Sequence, residues 1–329
     1  MCSRLFVRKI KFHSYLKRAR YLSGAFLLLG LIGACSTPKQ TLEIRDNPPD
    51  ISALRELIST PFFPQTEYHC GPAALATVIE YYGISAKPDE IVPLIYTPGL
   101  KGTLQIEVVA ATRRFDLLPV KLDGNLASLF SEVDAGNPVL VLQNLGLDAL
   151  PYWHYAIVVG YDLDAQTLVL RSGTEKRLIR PFGNFERTWQ RGGYWALVIV
   201  PPERIPVTAS AERYLQALVD LEQTGHIQAA IIGYQSATKR WPENVLALSG
   251  LGNSAYALKQ FADSEQAYQQ ALRLSPENHQ LWNNLAFAQA QLGKQDSSMV
   301  SINKALELAP GNANYQQSLI ELKQLLEID

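Results

Sequence analysis

The stretch "QTEYHCGPAALATVIEYYG", residues 65 to 83, places a cysteine directly before Gly-Pro and then continues into an apolar, helix-favouring segment. Proline is tolerated in a first helical turn and glycine often follows a last one, so the stretch predicts a helix from Cys70 to Tyr82 closed by Gly83. At a helix N-terminus, unpaired N–H groups and the helix dipole lower the pKa of a thiol. Cys70 is therefore a candidate nucleophile, the alternative being a small residue where a helix begins.

Helical and strand-like segments follow this helix in separate blocks. Two further helices are predicted at 87–96 and 103–115, the second capped by Thr103. Short β-branched or aromatic runs then predict strands at 138–144, 153–161, 167–171 and 194–200. Helices followed by an antiparallel sheet predict an α+β domain, with bounds of about 51–205.

A thiolate nucleophile needs a base, and this domain contains two histidines. His69 is adjacent to Cys70 and would have to fold back on its own neighbour. His154 lies at the start of "WHYAIVVGY" (153–161), a strand apolar on both faces, where a polar ring needs a partner. His154 is the preferred base, with a core histidine bonded to a backbone carbonyl as the alternative.

The paired motifs "QTEYHCGPAAL" and "HYAIVVGYD" resemble the papain-like cysteine peptidases of family C39, across about residues 60–200. The family pattern of Gln, four residues and Cys-Gly-x-Ala is matched by Gln65, Cys70, Gly71 and Ala73. The resemblance implies that Cys70 is the nucleophile, His154 the general base and acid, and Gln65 a side-chain donor to the oxyanion. It implies a papain-like fold, a peptide or protein substrate and no cofactor.

The family's third residue, usually an Asp that orients the histidine, lies on the strand after the His strand. With "DLDAQ" (162–166) as the turn, pairing Tyr161 with Thr167 brings position 174 opposite His154 and leaves Asp162 and Asp164 about 26 Å away.

The returning segment is "RSGTE", with Ser172 at or near the family's Asp. Ser172 is therefore the expected orienter, with Thr174 or Glu175 as alternatives if the register slips. A hydroxyl accepts from imidazole but stabilises an imidazolium less than a carboxylate does, so slow turnover or none is one expectation.

The N-terminus reads as an export signal. Residues 1–34 carry a basic head and the apolar run "YLSGAFLLLGLIG", and "LIGACS" resembles a bacterial lipobox, which implies lipidation of Cys35. An uncut anchor or an ordinary cleaved signal is the alternative. Ser36 after the cysteine favours a periplasm-facing outer-membrane lipoprotein. Residues 35–50 are polar and proline-bearing, and predict a tether.

Removing residues 1–34 leaves 23 basic and 31 acidic residues, a formal charge of −8. Nucleic acid is therefore an unexpected partner, because its phosphates need a basic face. Cys70 would be the remaining unmodified cysteine, and in an oxidising compartment an unpaired cysteine is either buried and inert or kept for its reactivity.

After "PPERIP" (201–206) the sequence changes to Ala-, Leu- and Gln-rich helical segments with a repeat. Pro242, Pro276 and Pro310 lie 34 residues apart, as do Ala237, Ala271 and Ala305. This period resembles the tetratricopeptide repeat and predicts, within 206–329, units at 211–244, 245–278 and 279–312 with a capping helix at 313–328. Such repeats form a concave surface that usually binds a protein or peptide.

Three functions remain open. The leading hypothesis is a lipid-anchored cysteine peptidase whose repeats hold a substrate or adaptor protein. The others are an inactive peptidase-like binding lipoprotein and a papain-like amidase or acyl transferase using the same Cys70 and His154.

Overall fold

The computed structural model describes residues 37–65 and 68–327. The predicted signal segment and Cys35 lie outside these residues. The described chain is an α+β region followed by an all-helical region, as the sequence predicted. Each helix of the described part is too short or too polar to span a bilayer.

Within the described residues, seven strands form one antiparallel sheet. They are β1 (Leu54–Glu56), β4 (Leu118–Lys121), β5 (Val139–Asn144), β6 (Trp153–Asp162), β7 (Thr167–Ser172), β8 (Glu175–Pro181) and β9 (Ala196–Val200). Their order is β4-β9-β5-β6-β7-β8, and β1 pairs with the end of β6. A separate short hairpin joins β2 (Tyr96–Thr97) to β3 (Gly102–Thr103). β5 and β9 are buried throughout because helices cover the sheet.

The helices of this region are α1 (Lys39–Asp46), α2 (Cys70–Tyr81), α3 (Pro88–Ile95), α4 (Gln105–Arg113), α5 (Leu126–Asp134) and α6 (Phe182–Arg191). α2 is buried from Gly71 to Ile79 and packs against β6. This packing is what brings the start of α2 to the middle of the sheet.

The predicted helices and strands are all present with small changes in their bounds, but the predicted Thr103 cap is wrong. Leu104 occupies the N-cap of α4, whereas Thr103 pairs with Tyr96 in the β2–β3 hairpin. The strands β1 to β4 and β8 and the helices α5 and α6 were not predicted. β8 reads "EKRLIRP" and is mostly exposed, so it lacks the alternating apolar pattern that marks a strand.

The predicted tether is also corrected, because residues 39–46 form a helix docked on the domain. Buried Glu186 accepts hydrogen bonds from Gln40 N, Thr41 N and Thr41 Oγ1 at 2.6–2.9 Å. The carboxylate thus satisfies N–H groups at the start of α1, which have no partner inside the helix. The sequence did not predict this helix because the carboxylate that binds its first turn, Glu186, lies 145 residues after Thr41.

The helical region consists of pairs with the 34-residue period. The helices are α7 (Ala211–Gln223), α8 (Ile227–Arg240), α9 (Val245–Ala257), α10 (Phe261–Leu274), α11 (His279–Gln291), α12 (Gln295–Leu308) and α13 (Ala313–Leu325). The hydrophobic core of the α+β region continues into α7, α8 and Ala247 of α9, whereas the rest of the later helices form separate cores. The secondary structure changes from mixed α+β to all-helical near residue 205, but the hydrophobic core continues past this point.

Candidate active site

Cys70 is the first residue of α2, and its side chain is partly exposed at the N-terminus of that helix. It is the one free cysteine among the described residues. Backbone N–H groups of Tyr155, Gly71 and Cys70 itself lie within hydrogen-bonding reach of its sulfur. The tight approach of Gly71 to the β2–β3 hairpin explains the glycine, since a Cβ there would lie 2.5 Å from Thr103 Oγ1.

His154 is the second residue of β6 and is buried, with 8% of its surface exposed. Its Nε2 lies 2.8 Å from Ser172 Oγ at the end of β7. The two side chains therefore share a hydrogen bond, whose direction depends on the tautomer of the ring. Because Nε2 is engaged by the serine, Nδ1 is the nitrogen left for a reacting proton.

The register that produces this contact differs from the predicted one near the turn. Tyr161 pairs with Leu168 rather than Thr167, and a bulge between Val158 and Gly160 then shifts the pairing by one residue. β7 ends at Ser172, and the chain turns back so that Ser172 pairs with Glu175. Thr174 and Glu175 are exposed at this turn, and Ser172 is the candidate that contacts His154.

Gln65 lies beside the same two strands and is held by Gly173. Its backbone N–H donates to Gly173 O at 2.9 Å, and its Oε1 accepts from Gly173 N at 3.0 Å. Its Nε2 donates to Tyr155 O across a long 3.4 Å hydrogen bond. The amide is thus fixed in orientation. Because its Nε2 bond to Tyr155 O is long, Nε2 could donate a hydrogen bond to an oxyanion.

Gln65, Cys70 and His154 all line one cavity of about 1000 Å³. This volume is at the upper end of the range usual for ligand pockets. Among the described residues, no group of three His, Cys, Asp or Glu side chains is arranged to hold a metal ion. The cavity therefore brings together a thiol from α2, an imidazole from β6 and an amide from the segment before α2, which are the groups that a cysteine nucleophile uses.

Burial sets the protonation of the pair. It raises the pKa of the Cys70 thiol above its usual value, although the three backbone N–H groups act in the opposite direction. It lowers the pKa of His154 from 6.5 to about 4. The expectation of a lowered thiol pKa is therefore wrong, because desolvation of the thiolate outweighs the helix N-terminus.

Several residues of the cavity wall were not singled out from the sequence. Lys101 and Thr103 come from the β2–β3 hairpin, Tyr152 and Trp153 precede His154, and Arg191 ends α6. Each lies far in sequence from Cys70 or in a loop without a recognisable motif, so residue spacing did not predict that they line the cavity. The run of Pro, Gly and Lys at 98–102 marks a turn and could have indicated a hairpin next to the site.

The repeats carry a second, smaller cavity of about 390 Å³. It is lined by uncharged side chains from α9, α10 and α11, namely Asn253, Tyr256, Tyr268, Asn284 and Phe287. Asn253 Oδ1 accepts from Tyr268 Oη at 2.7 Å and from Asn284 Nδ2 at 3.2 Å. The amides are therefore linked across neighbouring repeats.

Comparisons with known proteins agree with these two regions. The model of the Peptidase_C39 like family matches residues 57–197, and the tetratricopeptide repeat model matches 214–279 and 250–313. A structure described as a C39-like peptidase from Bacillus anthracis is 18% identical, covers 45% of this chain and 97% of its own, and has a TM-score of 0.38. A search of curated proteins gave no match.

Two repeat structures are also similar to the helical region. The first tetratricopeptide domain of human RPAP3 is 21% identical, covers 36% of this chain and 92% of its own, and has a TM-score of 0.34. The type III secretion chaperone SycD of Yersinia enterocolitica, solved with a peptide of the translocator YopD, is 16% identical, covers 35% and 88%, and has a TM-score of 0.32. From the family matches, the chain joins a domain of the Peptidase_C39 like family, at residues 57–197, to tetratricopeptide repeats at 214–313.

Proposed function

We propose that the domain of the Peptidase_C39 like family is a cysteine peptidase in which Cys70 is the nucleophile and His154 the general base and acid. The observation that carries the proposal is that Cys70, His154 and Gln65 line one cavity while Ser172 holds the far nitrogen of His154. A nucleophile, a base and a group that orients the base are the parts that this chemistry needs.

The proposed reaction begins with a neutral thiol and a neutral imidazole. His154 Nδ1 takes the proton of Cys70 as sulfur bonds to the carbonyl carbon of the substrate. The resulting oxyanion accepts from Cys70 N–H and Gln65 Nε2. The proton then passes from His154 to the leaving amine as the C–N bond breaks, and water, deprotonated by His154, releases the acid from the thioester.

Peptide products test this reaction. Peptides from periplasmic proteins are incubated with the wild-type chain and with the Cys70→Ser variant, and new termini are identified by mass spectrometry. We expect new termini with the wild type only, and a fall in kcat/KM of about 10²-fold or more in His154→Ala, the usual contribution of a general base. Identical products from wild type and Cys70→Ser would contradict proteolysis.

A recognition domain without turnover is the second candidate, and the protonation state favours it. Both Cys70 and His154 are held neutral by burial, and a hydroxyl stands where a carboxylate would stabilise the imidazolium. This candidate predicts that alkylation of Cys70 by iodoacetamide is unaffected by His154→Ala. An amidase or acyl transferase predicts that the alkylation rate depends on His154 although no peptide is cleaved.

The tetratricopeptide repeats bind protein partners in other chains, and we propose that α9 and α11 carry that surface here. The cavity between Asn253 and Phe287 is uncharged, so its partner would be held by amide hydrogen bonds and apolar contacts rather than by ion pairs. Binding that persists in high salt is the expected outcome. A partner released by about 0.5 M salt would contradict this assignment.

We further propose that Cys35 carries lipid and that the chain faces the periplasm from the outer membrane. The support is the lipobox-like sequence before Cys35, and α1 gives the proposal a geometric consequence. Lys39 already belongs to a helix docked on the domain, so the four residues from Cys35 span at most about 14 Å. Metabolic labelling with a fatty acid should mark the wild-type chain and not Cys35→Ala, whereas a wild-type chain that takes up no label would exclude lipidation.

A further inference from the structure

The wall of the cavity at Cys70 combines exposed apolar side chains with two cations. Tyr152 and Trp153 are 64% and 53% exposed, and Leu104 is 45% exposed. Lys101 and Arg191 line the same cavity, and none of its described lining residues is Asp or Glu. Exposed apolar surface around the cavity can contact a substrate, and side chains of one charge sign favour substrates of the opposite charge.

Lys101 lies on the thiol side of the cavity. It is in the turn of the β2–β3 hairpin, two residues before Thr103, whose side chain packs against Gly71 next to Cys70. Its Nζ lies 5.6 Å from the centre of the Tyr68 ring. No described carboxylate forms an ion pair with Lys101, so its charge faces the cavity without neutralisation from the described residues.

Arg191 lies on the imidazole side. It is the last residue of α6, and its Nε donates to Asn144 O at 3.2 Å. Asn144 pairs with Trp153, the neighbour of His154. One edge of the guanidinium is thus anchored to the sheet, and within the described chain its terminal nitrogens have no carboxylate partner. An anchored guanidinium with spare donors is suited to a carboxylate.

We propose that this cavity selects acidic peptides, with Lys101 and Arg191 each contacting a substrate carboxylate on its own side of the scissile bond and the aromatic wall contacting apolar neighbours. The proposal deepens the peptidase function and rests on it. One cation near Cys70 and one near His154 attract a chain that carries acidic residues close to the reacting carbonyl. A cavity of one charge sign raises the local concentration of such a chain by about 10-fold or more.

A test that does not need turnover uses two alkylating reagents of similar size. Iodoacetate carries a carboxylate and iodoacetamide is neutral, so the ratio of their rate constants at Cys70 reports the field at the sulfur. The full chain is labelled, and the Cys70 peptide is quantified by mass spectrometry. We expect Lys101→Glu with Arg191→Glu to lower the iodoacetate to iodoacetamide ratio about 10-fold, and Lys121→Glu to leave it unchanged.

Lys121 is a matched control because it is an exposed cation of the same domain, on β4 and outside the cavity. Lys101→Arg should retain the ratio, since it keeps the charge in an exposed turn. Raised salt should reduce the difference between wild type and the double variant. A ratio that falls equally in Lys121→Glu, or not at all in the double variant, would overturn the proposal.

Glu67 needs its own variant because it lies outside the described residues and is close in sequence to Cys70. We expect Glu67→Gln to leave the reagent ratio unchanged. A rise as large as the fall in the double variant would mean that Glu67 already neutralises the two cations, and the proposal would be wrong.

Peptide pairs then separate failure of the selectivity from failure of the function. Matched peptides with Glu or Gln on either side of a cleaved bond are compared by kcat/KM. We expect the Glu peptide to be favoured about 10-fold, mainly through KM, and the preference to be lost in the double variant. Cleavage of both peptides at equal rates would overturn the selectivity alone, whereas no cleavage of any peptide together with a normal reagent ratio would overturn the peptidase function alone.

Discussion

The hydroxyl of Ser172 contacts the imidazole of His154, and this one contact limits how well the site can hold charge. A serine hydroxyl can accept a hydrogen bond from a protonated Nε2, but it carries no charge to balance an imidazolium. Burial lowers the pKa of His154 to about 4, so the neutral ring persists down to mildly acidic pH. The acid limb of a kcat/KM profile should therefore fall near pH 4 rather than 6.5.

Ser172→Asp tests this limitation. A carboxylate beside Nε2 stabilises the protonated ring, so we expect the pH of the acid limb to rise by about one unit or more. Ser172→Ala removes the partner without adding charge and should lower kcat while the limb stays at or below its wild-type position. A profile that is the same in Ser172→Asp and Ser172→Ala would show that Ser172 does not act through His154.

The buried imidazole also links stability to pH. The folded pKa of His154 is about 4 and the unfolded value is about 6.5, so the unfolded chain binds more protons between those values. Stability from this group is present above pH 6.5 and is lost as pH falls to 4, by about 3 kcal/mol at most. Urea unfolding at pH 7 and pH 4 measures the loss. It should be smaller in His154→Gln, and an equal loss in both proteins would contradict the role of His154.

The sequence predicted that Cys70, His154, Gln65 and Ser172 lie together because each belongs to a motif or follows a strand turn. What the sequence could not give was the environment of the thiol. The helix N-terminus is local and visible in "CGPAAL", whereas the burial that raises the pKa of Cys70 depends on packing by distant segments such as the β2–β3 hairpin. Local motifs indicated which side chains would lie together, and nonlocal packing sets their burial and protonation.

The contact between α2 and the β2–β3 hairpin positions the nucleophile at the scale of elements. A Cβ on Gly71 would lie 2.5 to 2.9 Å from three side-chain atoms of Thr103, closer than packed atoms approach. Gly71→Ala should therefore displace the hairpin or the helix start, cost about 1–3 kcal/mol and reduce Cys70 alkylation or turnover.

Gly99→Ala is the matched control for that substitution. Gly99 lies in the same hairpin turn, and a Cβ there would meet no atom within 4 Å. Thermal unfolding and activity should be near wild type in Gly99→Ala and lowered in Gly71→Ala. If both variants behave alike, the close approach of α2 to Thr103 is not what positions Cys70.

The elements that were predicted have a strong local pattern, whereas α1 and β8, which were not, are held by distant partners; α5 and α6 were also not predicted, although Asn125 caps α5. The helix from Cys70 and the strand from Trp153 have apolar patterns long enough to recognise. α1 reads as polar sequence, and its docking depends on Glu186 from α6. β8 is paired to β7 at the sheet edge although its side chains are mostly exposed.

At the scale of the whole molecule, the first repeat is joined to the α+β domain by polar contacts as well as by packing. Arg113 Nη2 lies 2.5 Å from Asp220 Oδ2, and His226 Nδ1 lies 2.7 Å from Asp116 Oδ1. Buried Glu132 of α5 accepts from Thr208 N at 2.7 Å, just before α7. The helices α7 and α8 therefore act as part of the domain, and the later repeats extend from it.

Two tyrosines at the same repeat position can distinguish the helices that share the domain's core from those that do not. Tyr234 in α8 and Tyr268 in α10 lie 34 residues apart, are 1% and 2% exposed, and each donates its hydroxyl to a neighbouring side chain. Tyr234 belongs to the core shared with the α+β domain, and Tyr268 to the separate core of the next repeat. Replacing either by Ala should cost about 3–5 kcal/mol locally.

The consequence for the α+β domain should differ between them. Hydrogen exchange of β5, at Val139–Asn144, measures the opening of the sheet at its buried centre. We expect Tyr234→Ala to speed this exchange, because the lost packing belongs to the same core, and Tyr268→Ala to leave it near wild type. If Tyr268→Ala speeds exchange of β5 as much as Tyr234→Ala does, the repeats and the domain unfold as one unit and the first repeat has no special coupling.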